Sequence, residues 1–286
     1  MRTLGTVAEA ANFRLASPSP VVLVPTMGAL HRGHAALIEA ARSRAGQGGT
    51  VVVSIFVNPS QFGPSEDFSR YPRPLDDDLA LCRALGADAV FSPAADEIYP
   101  PGDSTVVEET RLSSGLCGAR RPGHFRGVCT VVAKLFQILR PDAAIFGEKD
   151  YQQLAVIRRM VRDLFFAVEI IGYPTVREAD GLALSSRNRY LSPRERELAA
   201  RFPAALLAAK ALADAGESSA DKILALARDG IARGTGREPQ YVELVDADDL
   251  SPRAALDRPA VLAAAVLIGE TRLIDNVRLD PPHAKI

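Results

Sequence analysis

The chain has 286 residues, 47% hydrophobic and 24% charged, a balance that excludes a disordered or fibrous protein and gives length enough for two domains. Lys and Arg number 34 against 35 Asp and Glu, so with a net charge of -1 no overall field draws the chain to nucleic acid or an anionic membrane. Cys82, Cys117 and Cys129 are an odd set without C-x-x-C spacing, which fits free thiols in a reducing compartment such as the cytoplasm.

The opening residues, MRTLGTVAEAANFRL, lack the basic start and continuous apolar core of an export signal and read as an amphipathic helix. Short apolar runs at 21–24, 51–57, 89–91, 143–146 and 168–172 then alternate with helical segments. These are 34–44, stopped by Gly46; 75–85, stopped by Gly86; 130–139, stopped by Pro141; and 151–163. The alternation predicts βαβ units: a mostly parallel sheet with helices on both faces. After Tyr173-Pro174 the pattern changes. Ser192, Pro193 and Glu195 form a capping signature that opens an Ala/Leu-rich helix to about residue 214, followed by a helix over 221–232. Strands are expected at 241–245, 260–268 and 272–274, giving a smaller α+β domain. The apolar run at 260–269 is far short of the ~20 residues of a membrane-crossing helix. Domains at 1–174 and 175–286 follow, packed closely enough to share a cleft.

Ligands of open parallel sheets sit beyond the carboxyl ends of the strands. The segments in those places read PTMGALHRGH, NPSQF, SPAAD, GEKDYQQ and YPTVRE, and four of the five carry ligand-type side chains. In the first, Gly28 permits close backbone approach, and His31 and His34 stand three apart where a helix begins, on one face. Free amides and the positive end of the helix dipole make that place suited to a phosphate chain. The competing account is a surface histidine and a helix cap; a zinc site lacks a third ligand nearby. Lys149 can reach phosphates while Asp150 meets a ribose hydroxyl or a metal, or the GEKD segment is simply a charged turn. Ser185, Ser186 and Arg187 can wrap polyphosphate oxygens. Asn58, Gln61 and Gln153 offer neutral amides for a small hydroxylated substrate, against the plainer alternative of ordinary polar turn and helix positions. Asp76, Asp77 and Asp78 suit a helix start, with a magnesium role open for Asp77 or Asp78. No P-loop, G-x-G-x-x-G or G-x-S-x-G motif is present, which argues against a P-loop enzyme and covalent serine catalysis.

Taken in order, PTMGALHRGH, SIFVNPSQF, RPGHFRGV, FGEKDYQQL and DGLALSSRNRYL resemble the pantothenate synthetases, the pantoate:β-alanine ligases, over nearly the whole chain. The H-x-G-H element with a later Ser-Ser-Arg also resembles the wider nucleotidyltransferase and class I aminoacyl-tRNA synthetase-like superfamily. The resemblance implies a Rossmann-like first domain in which Met27, Gly28, Ala29, Leu30, His31, Arg32, Gly33 and His34 line the ATP site, with His34 catalytic and His31 on the phosphates. Gly147, Glu148, Lys149 and Asp150 complete that site, Val176 meets adenine through its backbone, and Leu184, Ser185, Ser186 and Arg187 close over the phosphates. Gln61 and Gln153 are implied to hold pantoate, with Gln61 also near β-alanine; Asn58, Tyr71, Arg121 and His124 surround the cleft. Asp78 is the implied magnesium residue. The implied reaction forms a pantoyl adenylate from ATP and pantoate, then pantothenate and AMP, in a cytoplasmic homodimer whose second domain is a lid, with no nucleic-acid or membrane partner. A nucleotidyltransferase acting on a small phosphorylated metabolite would use the same H-x-G-H site and release no AMP.

Overall fold

The computed structural model describes residues 1–64 and 66–281. The chain divides into two compact units, the first made of Met1–Ser113, Arg120–Glu148 and Val156–Pro174, the second of Ser114–Ala119, Lys149–Ala155 and Thr175–Ile286. In chain order the elements up to residue 174 are β1 (Arg2–Leu4), α1 (Val7–Ala16), β2 (Val21–Thr26), α2 (Arg32–Ala45), β3 (Thr50–Ile55), α3 (Leu75–Ala84), β4 (Ala89–Phe91), α4 (Ala95–Ile98), α5 (Leu116–Arg120), α6 (His124–Leu139), β5 (Ala143–Gly147), α7 (Tyr151–Asp163) and β6 (Glu169–Tyr173).

The first unit is built on a six-stranded sheet in the order β1-β4-β3-β2-β5-β6, parallel throughout. Val22, Val24, Val51, Val53, Val90 and Ile145 pack on Leu37, Ile38 and Ala41 of α2 and Cys82 of α3. Their strand neighbours Leu23, Val52, Phe91 and Ala144 point to the opposite face and are just as buried. A sheet covered on both faces needs continuous rather than alternating apolar strands, which is why these runs are so readable. The order reverses at β2: the chain proceeds to β3 and β4 on one side and returns to β5 on the other, so a crevice opens beyond the carboxyl ends of β2 and β5.

Two expectations for this part change. The opening residues are not helical from the start: Arg2–Leu4 forms an edge strand on β4, and the helix begins at Val7 after a Thr6/Glu9 capping box. The helix expected at 130–139 begins six residues earlier, at His124, after Gly123 in the left-handed conformation. Cys82, Cys117 and Cys129 are free and buried, and burial pushes the Cys82 and Cys129 thiols up to about 11.

The second unit adds α8 (Pro193–Ala199), α9 (Arg201–Asp214), α10 (Ala220–Thr235), β7 (Tyr241–Asp246), β8 (Ala260–Ile268) and β9 (Thr271–Leu279). Its strands form an antiparallel β7-β8-β9 sheet. Phe202 and Leu206 of α9, Ile223 and Ile231 of α10, and Leu262, Val266 and Val277 of the sheet share one core. Ser192, Pro193 and Glu195 cap α8 as expected, but the single helix expected to run to 214 is two, joined at Ala200. The last strand runs to Leu279 rather than 274, because Asp275 and Asn276 interrupt the apolar pattern without interrupting the pairing. No helix among the described residues is long and apolar enough to cross a membrane.

Candidate active site

At the β2–α2 junction the chain turns through Gly28 and Ala29, both with positive φ, of 79° and 50°. A side chain at Gly28 would put its Cβ 3.0 Å from both Asp78 Oδ2 and Ile55 Cγ2, so this turn requires glycine. Asp78, 2% exposed, accepts from Ala29 N at 2.8 Å and Leu30 N at 2.7 Å, one backbone donor to each carboxylate oxygen. These bonds satisfy amides that the left-handed turn leaves without a helical partner. Asp76 and Asp77 of the same run are exposed.

His31 caps α2, its Nδ1 accepting from Gly33 N at 3.1 Å, while His34 Nδ1 accepts from His31 N at 3.4 Å. The two imidazoles thus build a capping box out of histidines, with their rings stacked at 4.1 Å. The cap and the phosphate-facing roles are therefore compatible. A ring that accepts at Nδ1 carries its proton on Nε2, so each histidine presents Nε2 as a donor at the start of α2.

Beyond β3, a turn of 3-10 helix at Pro59–Gln61 carries the amide residues. Asn58, 1% exposed, donates from Nδ2 to Gln61 Oε1 and to Gly127 O, both at 3.1 Å. Its Oδ1 accepts from Ser60 N, Ser60 Oγ and Tyr99 OH. Burial pushes the Tyr99 hydroxyl up, keeping it a donor. Asn58 is thus committed to the turn rather than offered to a substrate. Gln61 is 8% exposed and, with Oε1 taken by Asn58, turns its Nε2 toward Met27 Sδ at 2.9 Å. The amide turn therefore lies against the Met27–His34 segment. Tyr71 is buried with its ring edge-on to Phe62.

Arg121 and His124 are also engaged. Arg121 grips Glu66 with two 2.6 Å hydrogen bonds, contacts His124 Nε2 at 2.9 Å, and reaches Gln61 O at 3.4 Å. His124 Nδ1 lies 2.9 Å from the same carbonyl. Burial would raise the Glu66 carboxyl, but the Arg121 guanidinium holds it below its ordinary value. Gly127 lets α6 close onto the turn, since a Cβ there would stand 2.4 Å from Ser60 O.

In the second unit, Lys149 Nζ is 3.7 Å from Asp150 Oδ2, and Lys149 O accepts from Asn276 Nδ2 at 2.9 Å. Val176 O accepts from Leu184 N at 3.0 Å, within a short antiparallel excursion that pairs Arg177 with Ala183. Arg177 donates twice to buried Asp275, at 2.7 and 2.9 Å. Neighbouring residues of β9 thus anchor both Lys149 and the 176–184 segment. Ser185 caps the following 3-10 turn, accepting from Arg187 N, and Ser186 is buried at its start. Gln152 is spent on Cys117 N and Gly115 O, whereas Gln153 is half-buried and makes no side-chain hydrogen bond among the described residues.

Of the expected site residues, the first unit brings together Met27–His34 and Gln61, and the second unit Lys149, Asp150, Val176, Leu184, Ser185, Ser186 and Arg187 around β9. Asp78, the implied magnesium residue, spends one acceptor site of each carboxylate oxygen on a backbone amide, and the described residues contain no group of three or more His, Cys, Asp or Glu that could hold a metal. Glu66, Tyr99, Asp275 and Asn276 lie outside the motifs, and Gln152 lies within one without having been singled out. The polar pair in the middle of an apolar strand was the one local sign of Asp275 and Asn276.

The family model described as pantoate-beta-alanine ligase matches residues 1–278. A pantothenate synthetase of Moorella thermoacetica is 51% identical over 98% of this chain and 99% of its own length, and one of Myxococcus xanthus is 54% identical over 91% and 88%. The crystal structure of pantothenate synthetase from Thermus thermophilus superposes with a TM-score of 0.92 at 49% identity, covering 98% of this chain and all of its own. A Francisella tularensis pantoate-beta-alanine ligase, crystallised with beta-gamma ATP and beta-alanine, gives a TM-score of 0.79 at 34% identity, over 97% of both chains.

Proposed function

The chain belongs to the pantoate-beta-alanine ligase family; it is an ATP-dependent ligase that joins pantoate to β-alanine, and we propose that it does so in two steps divided among the residues described above. In the first, a pantoate carboxylate oxygen attacks the α-phosphorus of ATP, the bond to the β-phosphate oxygen breaks, and pyrophosphate leaves. In the second, the β-alanine amine attacks the acyl carbon of the pantoyl adenylate, the bond to AMP breaks, and the nitrogen gives up a proton.

The barrier of the first step is charge developing on phosphate oxygens. His31 and His34 present Nε2–H donors at the positive end of α2, the arrangement that stabilises such charge without reorganisation. Lys149, Ser186 and Arg187 are assigned to the same oxygens, Asp150 to the ribose, and the Val176 backbone to adenine. Gln61 and Gln153 are assigned to pantoate. The observation that carries this division is the contact of Gln61 Nε2 with Met27 Sδ, which sets the amide turn beside the nucleotide segment, where an acyl group would meet the α-phosphate. The second step starts from an activated acyl group and depends chiefly on positioning the amine. The second unit is given the role of a lid that keeps water from the mixed anhydride.

Magnesium accompanies ATP in this proposal, with no residue of the chain assigned to it and no step routed through it. A cytoplasmic homodimer completes the proposal. Incubating the protein with ATP, magnesium and pantoate, with and without β-alanine, should yield pantothenate only when β-alanine is present, with equal AMP. A nucleotidylated product without an amide would overturn the ligase.

A further inference from the structure

Glu66 on one side, and Arg121 with His124 on the other, join two separate segments of the first unit into a chain that ends on the backbone carbonyl of Gln61. A guanidinium can only donate, so Arg121 Nη1, 2.9 Å from His124 Nε2, makes that nitrogen the acceptor. The imidazole proton then resides on Nδ1, which donates to Gln61 O at 2.9 Å. Glu66 fixes the other end of Arg121 through two short parallel bonds, the fork geometry in which a guanidinium has least freedom. The result is a directional relay: the carboxylate orients the guanidinium, the guanidinium selects the imidazole tautomer, and the imidazole holds the Gln61 backbone. A second hold acts on the Gln61 side chain, where Asn58, itself held by Tyr99, occupies Oε1 and leaves Nε2 as the end that faces Met27.

From this geometry we infer that Glu66, Arg121 and His124 are positioning residues for pantoate recognition, acting through Gln61 rather than by touching the substrate. The inference rests on the assignment of Gln61 to pantoate. His124 is 9% exposed and sits at the first position of α6, where its ring is held against Phe125 as well. Arg121 spends its Nε and both terminal nitrogens inside the relay. Neither side chain is therefore arranged as a direct anion contact, and loss of the relay should misplace Gln61 while leaving the histidines at the start of α2 in place.

The test is steady-state kinetics with both substrates varied. Arg121→Ala and His124→Ala should raise the KM for pantoate about tenfold or more, as expected for losing charge-assisted and buried hydrogen bonds, with the KM for ATP within about twofold of the parent. Two conservative variants separate positioning from mere packing. The His124→Asn amide can donate from about the place of Nδ1 and should recover most of the pantoate affinity, whereas His124→Gln reaches toward Arg121 instead and should not. If the alanine variants do not fold, Glu66→Gln and the Asn/Gln pair decide: Glu66→Gln should raise the pantoate KM severalfold without moving that for ATP. An unchanged pantoate KM, a parallel rise for both substrates, or equal recovery by Asn and Gln would overturn the relay while leaving the ligase standing. Failure of the parent protein to form AMP from ATP, pantoate and β-alanine would overturn the ligase assignment, and the relay's function with it.

Discussion

The start of α2 and the turn at Pro59–Gln61 lie side by side in the first unit, yet they are held in opposite ways. At the helix start the functional side chains are their own scaffold: His31 and His34 close the first turn on amides two and three residues away. At the turn, Gln61 is oriented by Asn58, Tyr99, Arg121 and His124, the last three 38 to 63 positions distant, and Gly127 makes room for it. A locally built site concentrates its loss of function in the catalytic residues themselves. A remotely built one spreads it over residues that never meet substrate.

That contrast can be broken from either side. The largest effect belongs to His34→Ala, which removes a donor aimed at developing charge and should lower kcat by about 100-fold or more with the unfolding midpoint little changed. A near-normal kcat would return the histidine to a cap. Next comes Asp78→Ala, which strips two buried amides of their acceptor and should cost about 2–5 kcal/mol in urea unfolding. With Asp78→Asn, the magnesium concentration giving half-maximal activity should stay where it is if Asp78 serves only the turn; a marked rise would give it the metal role. Gln61→Ala should raise the KM for pantoate about tenfold and leave that for ATP alone, and equal effects on both would dissolve the distinction between the two regions.

Smaller effects sharpen the picture. Glu66 titrates below its ordinary 4.5 in the folded protein, because its bonds to Arg121 outweigh the cost of burial. A lowered folded value means the stabilisation is fully present above 4.5 and is lost as pH falls through the lower folded value. The melting-temperature gap between the parent and Glu66→Gln should therefore hold at neutral pH and close in acid; a gap that widens in acid would contradict the ion pair. The smallest change is expected from Arg44→Ala, whose pairing with Glu169 at 2.7 Å is solvent-exposed on both sides and should be worth under about 1 kcal/mol.

What the sequence made legible follows from the same division. The parallel strands stood out because both sheet faces are covered, and the bounds of β4, α7 and β8 fall where the periodicity put them. The α8 cap was written in Ser192, Pro193 and Glu195. The H-x-G-H segment was readable because its geometry is local. β1 was not, since an edge strand of three residues carries too little pattern and draws its pairing from residues 89–91. Arg121, His124 and Asn58 were visible as motif residues, but their work was not: only the fold brings Glu66, Gln61 and Tyr99 against them. The hold of Asp78 on the Gly28–Leu30 turn was hidden for a related reason, because an acidic run at a helix start looks the same whether its buried member serves a metal or a neighbouring loop.

The most direct test of a two-step ligase is exchange of labelled pyrophosphate into ATP in the absence of β-alanine. The adenylate assignment predicts that label enters ATP when pantoate is added and stops when either pantoate is omitted or His34 is replaced by alanine. Exchange that proceeds without pantoate, or that appears only when β-alanine is supplied, would contradict it.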